Sequence, residues 1–386
     1  MNPSSQTNPV LLDTQSSIIW SDTEREKKFD LWFKSACSTH HLSPDTLRPA
    51  SADASFRRYF RVDSSAASLI IMDAPPAQEN CKPFVDIARL MAQAGLQVPD
   101  ILAWDEAQGF MLLTDLGAKT MMEVINPHLS DDLAEPNFDL YMQAVDALID
   151  WQLASKPDVL PPYDEALLRR ELALFPDWYL AKHKGVTLDK TQQAVLDNAF
   201  SLIVKRNLGV PSVYVHRDFM PRNLMVIEPK TADDKRSLGV LDFQDAVYGP
   251  ITYDIASLMR DAFLSWEEPF VLDITIRYWQ KAVKVGLLGE KSQIGWGADL
   301  GEFTQVLGEF YRAVEWQALQ RHLKILGIFA RLTLRDGKPK YLADTPRFIN
   351  YVRKIADRYR ELGPFLKLID QIEGIETATG FAYGRM

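Results

Sequence analysis

Cysteine and histidine are scarce in this sequence, and it contains no long apolar run. The two cysteines, Cys37 and Cys81, cannot build a disulfide framework, so a reducing cytoplasm is the expected compartment. The six histidines are scattered and form no zinc motif. No run reaches transmembrane length and no basic-then-apolar leader opens the chain, which predicts no membrane partner. The net charge of −9 predicts no nucleic-acid partner, because phosphate backbones bind basic surfaces.

The length of 386 residues allows about two domains with substantial cores. Residues 1–20 are rich in Ser, Thr, Asn and Gln, which predicts a disordered tail. The segment Ser21-Asp-Thr-Glu24 is typical of a capping box that opens a helix. Five side chains then fall on one helical face and predict a buried stripe: Phe29, Trp32, Phe33, Ala36 and Cys37.

The following segment alternates short apolar runs with one helical pattern. Strands are predicted at Tyr59–Val62, Ser68–Met72 and Phe110–Thr114, and a helix at Lys82–Ala94. After Gly117 the pattern becomes mainly helical. We therefore predict an α+β fold with two lobes. Residues 21–116 form a small β-rich lobe, and residues 117–386 form a larger, mainly helical lobe.

The pattern most specific for function lies between Val213 and Asp245. Asp218 precedes Asn223 by five residues, and both lie between two short apolar runs. A further apolar run ends at Asp242, which Phe243 follows. An Asp at a strand end is often only a turn or a cap, but this order and spacing match the kinase loop H-R-D-x-x-x-x-N and the Asp-Phe turn behind it.

Phosphoryl transfer explains why these residue types are needed. The reaction requires a carboxylate beside the attacking hydroxyl and hard oxygen ligands for Mg²⁺. Asp218 is therefore predicted to face the acceptor hydroxyl. Asn223 and Asp242 are predicted to hold the Mg²⁺ that bridges the phosphates of ATP.

The block from Val215 to Leu258 resembles the aminoglycoside phosphotransferase and choline kinase superfamily. It adds Tyr253-Asp-Ile-Ala256 to the loop and the Asp-Phe turn. The resemblance implies a protein-kinase-like bilobal fold, with His216 and Asp254 bracing the catalytic loop. It also implies a nucleotide-binding hinge at Leu113, Thr114 and Asp115, whose backbone would hydrogen-bond the adenine.

Three further segments are similar to bacterial kinases that phosphorylate N-acetylmuramate and N-acetylglucosamine at C1. They are Asp53-Ala-Ser-Phe-Arg-Arg-Tyr-Phe-Arg61, Ile71-Met-Asp-Ala-Pro-Pro76 and Ile328-Phe-Ala-Arg-Leu332. This resemblance covers roughly residues 25–360. It implies a sugar acceptor, ATP and Mg²⁺ as cofactors, and a place in cell-wall sugar recycling.

The small lobe departs from the wider kinase pattern. Ser51-Ala-Asp-Ala-Ser-Phe stands where a Gly-rich loop is expected, and Leu69-Ile-Ile-Met-Asp73 lacks the phosphate-binding Lys. Lys82 is the only lysine between Ser51 and Asp115. A cation near the β- and γ-phosphates is still required. The candidates for the ATP phosphates are Ser55, Arg57, Arg58 and Arg61, although each arginine could instead be a solvated edge charge.

The acceptor site is less specified. An anionic acceptor would require Arg222 or Arg260, which lie close to the motifs. A cationic acceptor, such as an aminoglycoside, choline or another amino alcohol, would require carboxylates and aromatic faces. The candidates are Glu171, Asp177, Glu302, Glu309 and Glu315 for the acids, and Trp178, Tyr311 and Trp316 for the rings. A nucleotide-binding pseudokinase is a third alternative, because the usual Lys is missing.

Overall fold

The computed structural model describes residues 18–20, 22–52, 57–125, 134–228, 237–289 and 300–376. The chain divides into two compact units, Met1–Arg89 with Val98–Gly117 and Leu90–Gln97 with Ala118–Met386. The division falls within the helix α2, Lys82–Gln93. Among the residues described, no helix is long and apolar enough to span a membrane.

The smaller unit is built on a five-stranded antiparallel sheet, as the predicted β-rich lobe requires. The strand order is β1-β2-β3-β5-β4. The strands are β1 Leu42–Ala52, β2 Arg58–Ser64, β3 Ser68–Asp73, β4 Ile101–Asp105 and β5 Phe110–Thr114. The three predicted strands correspond to β2, β3 and β5. The two edge strands, β1 and β4, were not predicted.

One face of this sheet is covered by helix α1, Thr23–His40. Asp22 caps the helix by accepting hydrogen bonds from the backbone N–H groups of Glu24 and Arg25, so the N-cap is Asp22 rather than the first residue of the predicted capping box. Phe29 packs against Phe60 at a ring-centroid distance of 5.4 Å. The predicted stripe on α1 is confirmed: all five of its side chains belong to this core or pack against it.

The last residue of the predicted tail, Trp20, is part of the packed core. Residues 1–17 lie outside the described part of the chain. Trp20, by contrast, packs on Phe29 with ring centroids 5.0 Å apart and on Phe60 at 6.0 Å. The ordered core of the smaller unit therefore includes Trp20.

The larger unit is mainly helical, as predicted. Its helices are α3 Met121–Val124, α4 Ala134–Leu153, α5 Glu165–Leu172, α6 Lys190–Asn207, α7 Thr252–Met259, α8 Glu268–Lys284, α9 Leu300–Leu334, α10 Thr345–Arg358 and α11 Gly363–Glu373. A π-helix, Phe175–Lys184, lies between α5 and α6. Helix α9 runs for 35 residues.

Two short antiparallel strand pairs hold the segments that carry the motifs. β6, Ser212–Val215, pairs with β9, Val247–Pro250. β7, Leu224–Ile227, pairs with β8, Ser237–Val240. Most of the polar segment 228–238, predicted as a hairpin loop, lies outside the described residues. The motif residues thus follow β6, precede β7 and follow β8, at the ends of buried strands.

Candidate active site

The loop between β6 and β7 is closed by Asn223. The side-chain Nδ2 of Asn223 donates to the backbone carbonyl of Asp218 at 2.9 Å. The Asn223 backbone N–H donates to the carbonyl of Met220 at 2.8 Å. Asn223 is buried, at 9% exposure, and ends the short 3₁₀ turn Pro221–Asn223. The spacing of five residues therefore allows the Asn223 amide to reach the carbonyl of Asp218 across the loop.

His216 is fully buried beneath this loop and uses both ring nitrogens. Nε2 lies 3.0 Å from the carbonyl oxygen of Leu241, which can only accept, so Nε2 carries the proton. Nδ1 then accepts from the backbone N–H of Asp218 at 3.3 Å. Burial lowers the pKa of His216, which agrees with this neutral tautomer. These contacts orient the loop and leave His216 no metal-binding nitrogen.

Asp254, in the first turn of α7, holds the beginning of the loop from the other side. Its Oδ2 accepts from the backbone N–H of His216 at 2.7 Å, and its Oδ1 accepts from that of Arg217 at 3.0 Å. The carboxyl is fully buried. Arg217 has a left-handed backbone, with φ of 79°. One carboxylate therefore fixes two successive peptide groups just before Asp218.

Asp218 itself contributes its backbone, rather than its side chain, to these contacts. Its N–H binds His216 and its carbonyl accepts from Asn223. The side chain is half-buried at the rim of the loop. The carboxylate of Asp218 is thus carried on a backbone that hydrogen bonds hold in place, which is what its predicted role as a general base requires.

Asp242 follows β8 and lies next to Asn223. The backbone N–H of Leu241 donates to the carbonyl of Asn223 at 2.9 Å, which joins the two loops. The Asp242 Oδ2 is 3.4 Å from the Asn223 Nδ2, and its Oδ1 accepts from Gln244 at 2.8 Å. Asp242 is exposed and has a left-handed φ of 62°, while Phe243 is fully buried and anchors the turn. The structure therefore brings the predicted metal pair together.

The chemistry of this pair fits Mg²⁺. A carboxylate and an amide side chain are hard oxygen donors, and Mg²⁺ is usually bound by one or two carboxylates together with substrate phosphates and water. No group of three or more His, Cys, Asp or Glu side chains forms a metal site in the described chain.

Behind the loop lies a polar network that the sequence did not reveal. Glu171 is buried, and its Oε1 accepts from Arg217 at 2.5 Å and from Lys324 at 2.8 Å. Its Oε2 accepts from the Tyr163 hydroxyl at 2.6 Å and from Gln320 at 2.9 Å. Burial alone would raise the pKa of Glu171, but Lys324 and Arg217 lower it to about 2. This corrects the prediction that Glu171 faces a substrate, because its carboxylate is already fully engaged.

The other predicted acceptor residues fall in different environments. Arg222 is exposed, and its guanidinium lies 4.7 Å from the ring centroid of Phe263. Arg260 is committed to a carboxylate, since one of its nitrogens donates to both oxygens of Glu268 at 2.9 and 2.7 Å. Trp178 is half-buried in the π-helix. The structure therefore does not gather these residues into one cluster.

The remaining acidic and aromatic candidates do not form a cationic-acceptor site in the described residues. Glu315 is buried and accepts from Arg358 and from the hydroxyl of Tyr359. Asp177 and Glu309 are exposed, Trp316 is buried, and Tyr311 donates to Glu268. The side chain of Glu302 lies outside the described part.

In the smaller unit, Arg58 is part of a structural ion-pair cluster. Its Nε donates to Asp73 Oδ2 at 3.0 Å, and Arg25 of α1 donates to the other oxygen at 2.9 Å. Asp73 is completely buried, and the Arg58 guanidinium lies 3.9 Å from the ring centroid of Trp20. Because side chains alternate along β2, Arg58 shares the face of Phe60 that α1 covers. This corrects its predicted role at the ATP phosphates.

The other candidates for the phosphates are not part of this ion-pair cluster. Arg57 is buried, and its Nη2 is 3.2 Å from Glu79. Arg61 donates to Asp115 at 2.7 Å and to the carbonyl of Gly117 at 3.0 Å. Exposed Lys82 pairs with Asp86 at 3.1 Å. Ser55 lies outside the described residues.

The predicted hinge begins at the end of β5. Leu113 is paired on both sides, with Ile70 of β3 and Ile101 of β4. Thr114 exchanges hydrogen bonds with Asp100, through its backbone N–H at 3.0 Å and its hydroxyl at 2.8 Å. Asp115 is fixed by Arg61. The hinge segment is therefore rigidly attached to the sheet.

We expect Arg57 and Arg58 to respond differently to substitution. Arg58→Ala removes hydrogen bonds to a buried carboxylate, so it should lower stability by about 1–3 kcal/mol and leave the KM for ATP unchanged.

Arg57→Ala should raise the KM for ATP and lower kcat/KM by about ten- to a hundredfold, with Lys82→Ala as the neutral control. Thermal unfolding and ATP kinetics measure both effects. An unchanged KM in Arg57→Ala would remove it from the nucleotide site.

The fold and the site define a kinase-like phosphotransferase. The predicted catalytic loop and the predicted metal-binding turn lie at the ends of buried strands in a mainly helical unit, and the smaller unit is built on a five-stranded sheet. The chain belongs to the phosphotransferase enzyme family (APH), whose sequence profile matches residues 46–288. It is a kinase with an alcohol group as acceptor and uses a nucleotide.

Similar proteins are known by sequence and by structure. The chain is 46% identical over 356 residues to an N-acetylmuramate/N-acetylglucosamine kinase of Pseudomonas aeruginosa, covering 90% of this chain and 97% of that protein. A protein of the same name from Pseudomonas putida is 43% identical, over 93% of this chain and 96% of its own length. The fold is similar to that of an ADP-bound aminoglycoside phosphotransferase, with a TM-score of 0.53, 13% identity and coverage of 84% and 97%.

Proposed function

We propose that this kinase transfers the γ-phosphate of ATP to the anomeric C1 hydroxyl of an N-acetylated amino sugar, N-acetylmuramate or N-acetylglucosamine. Cell-wall sugar recycling in the cytoplasm is the proposed setting. The observation that carries the proposal is the 46% identity to a kinase named for these two sugars, over 97% of its length. In this proposal Asp218 acts on the acceptor, and the pair of Asn223 and Asp242 would hold the metal.

Asp218 is the proposed base for the acceptor hydroxyl. Its backbone is fixed by His216 and Asn223, so the carboxylate can orient the C1 hydroxyl and take up its proton as the oxygen attacks. An anomeric hydroxyl is more acidic than the other sugar hydroxyls. A single carboxylate can therefore assist its attack without a stronger base.

Asn223 and Asp242 are the proposed ligands of Mg²⁺. When bound there, Mg²⁺ would neutralise the negative charge that develops on the phosphates during transfer. Gln244 donates to the Asp242 Oδ1 and so orients this carboxylate. Arg57 is the proposed cation toward the phosphates, and the backbone that follows Leu113 is proposed to bind the adenine.

The two alternatives receive less support from the site. An aminoglycoside or choline acceptor would need carboxylates that are available to a cation, yet Glu171 and Glu315 already bind Arg217, Lys324 and Arg358. A pseudokinase would not need the Asp218 carboxylate together with the pair formed by Asn223 and Asp242. Both alternatives predict no turnover of free amino sugars.

A blocked sugar distinguishes C1 phosphorylation from the alternatives. The methyl glycoside of N-acetylglucosamine should be inert, because its C1 oxygen carries no proton to lose. The same sugar with a free reducing end should yield a 1-phosphate. ADP release and phosphorus NMR of the product, measured with Mg²⁺ and ATP, give both results.

The panel should also contain N-acetylmuramate, choline and an aminoglycoside. Phosphorylation of the methyl glycoside would exclude C1 as the acceptor position. Turnover of the amines with none of the two sugars would favour an amino-alcohol kinase. ATP binding without turnover of any acceptor would favour the pseudokinase.

A further inference from the structure

Arg222 is an exposed guanidinium inside the catalytic loop. It lies four residues after Asp218 and directly before Asn223, in the 3₁₀ turn Pro221–Asn223. Its guanidinium is 4.7 Å from the ring centroid of Phe263, a contact that restrains its position. Within the described residues, no carboxylate forms an ion pair with it. Among the described residues, the loop therefore presents a positive charge that no carboxylate neutralises.

The neighbouring arginines have different roles. Arg217, in the same loop, is bound to buried Glu171 at 2.5 Å. Arg260 donates to both oxygens of Glu268, and Tyr311 donates to the same carboxylate. Burial raises the pKa of Glu268, but the bonds from Tyr311 and Arg260 lower it to about 2, so this partner stays ionised. Arg217 and Arg260 are thus neutralised, whereas Arg222 has no such carboxylate partner in the part of the chain that the structure describes.

We propose that Arg222 binds the lactyl carboxylate of N-acetylmuramate and so sets the preference between the two sugars. This inference rests on the proposed function. The two sugars share the C1 hydroxyl and the N-acetyl group, and N-acetylmuramate alone carries a lactyl ether with a carboxylate at O3. A planar guanidinium can bind that carboxylate through two parallel hydrogen bonds. N-acetylglucosamine offers no anion to Arg222.

The predicted effect is a change in specificity rather than a general loss of activity. Arg222→Ala should lower kcat/KM for N-acetylmuramate relative to N-acetylglucosamine by about ten- to a hundredfold. Because Arg222 is exposed, salt should weaken the wild-type preference for the anionic sugar. Arg222→Lys keeps the charge without the planar fork and should give an intermediate ratio.

A chemically altered sugar makes the test independent of folding. N-acetylmuramate with its carboxylate converted to the carboxamide keeps the size of the lactyl group and loses its charge. In the wild type, kcat/KM should be lower for this amide than for N-acetylmuramate. The factor should equal the one by which Arg222→Ala lowers kcat/KM for N-acetylmuramate relative to N-acetylglucosamine. Arg222→Ala should then treat the acid and the amide alike. Arg170→Ala, which removes an exposed arginine from α5, is the matched control. It should change neither the ratio of kcat/KM between the two sugars nor the ratio between the acid and the amide.

Three results of this comparison would contradict the proposals. An unchanged acid-to-amide ratio in Arg222→Ala, with both sugars still turned over, overturns the role of Arg222 and leaves the proposed function intact. An equal loss on both sugars with a raised KM for ATP also overturns it and would place Arg222 at the phosphates. No turnover of either sugar by the wild type overturns the proposed function itself.

Discussion

Replacing Asp218 by Asn or Ala is expected to lower kcat by about 10²–10⁴-fold, the contribution typical of a positioned general base. ATP binding should survive, since this carboxylate is assigned to the acceptor. The loop should also keep its shape, because its bonds to His216 and Asn223 use the backbone of Asp218. Steady-state kinetics and nucleotide titration of the same sample separate the two effects.

The control for Asp218→Asn is an identical change at Asp197, an exposed position on α6. It should leave kcat, the KM for ATP and the thermal midpoint unaltered. Near-normal turnover in Asp218→Ala would show that another group takes the proton. Loss of ATP binding together with turnover would mean that the carboxylate acts on the nucleotide.

Replacing Asp242 by Ala is expected to raise the Mg²⁺ concentration needed for half-maximal activity by about tenfold or more, since the change deletes a hard oxygen ligand. Asp242 is exposed, so the fold should tolerate the change. Asn223→Ala is less clean, because that amide also binds the carbonyl of Asp218. Rates measured across a Mg²⁺ titration at fixed ATP report the effect.

Gln244→Ala is the graded control for the metal assignment. It keeps the Asp242 carboxylate and removes only the 2.8 Å hydrogen bond that orients it. The Mg²⁺ requirement should therefore rise less than in Asp242→Ala. An unaltered requirement in Asp242→Ala would refute its assignment as a ligand.

The geometry of the loop that carries Asp218 could be predicted from sequence because its contacts are local. Asn223 reaches the carbonyl of Asp218 across five residues, and His216 binds the peptide of Asp218 two residues away. Residue types and spacing are therefore nearly sufficient to specify this loop. The pairing of β7 with β8 brings this loop next to Asp242.

The irregular pairing of the two edge strands cannot be read from their sequences. β1 contains two prolines, Pro44 and Pro49, which favour edges and irregular pairing. Its register with β2 shifts twice, between Ser43 and Arg48 and between Pro49 and Ser51. β4 also pairs on one side only, with a shift near Ile101. Strands of this kind are stabilised by their neighbour more than by their own residues.

The fate of individual charges could not be predicted because their partners are distant in sequence. Arg58 binds Asp73, which Arg25 reaches from 48 positions earlier in the chain. Glu171 binds Lys324 across 153 positions. Nothing local distinguishes such a carboxylate from one that faces a ligand. The burial and the partners of a charged side chain, rather than its residue type, decide whether it stabilises the fold or faces a ligand.

The left-handed backbones at Arg217 and Asp242 limit how far this protein can be stabilised by design. A non-glycine residue in that region costs roughly 1–3 kcal/mol, which glycine would relieve. Yet glycine at 217 would remove the cation that binds Glu171, and glycine at 242 would remove the carboxylate beside Asn223. An engineer who ranked positions by backbone strain alone would therefore select two residues of the proposed active site. Any search for a more heat-resistant variant should begin outside both loops.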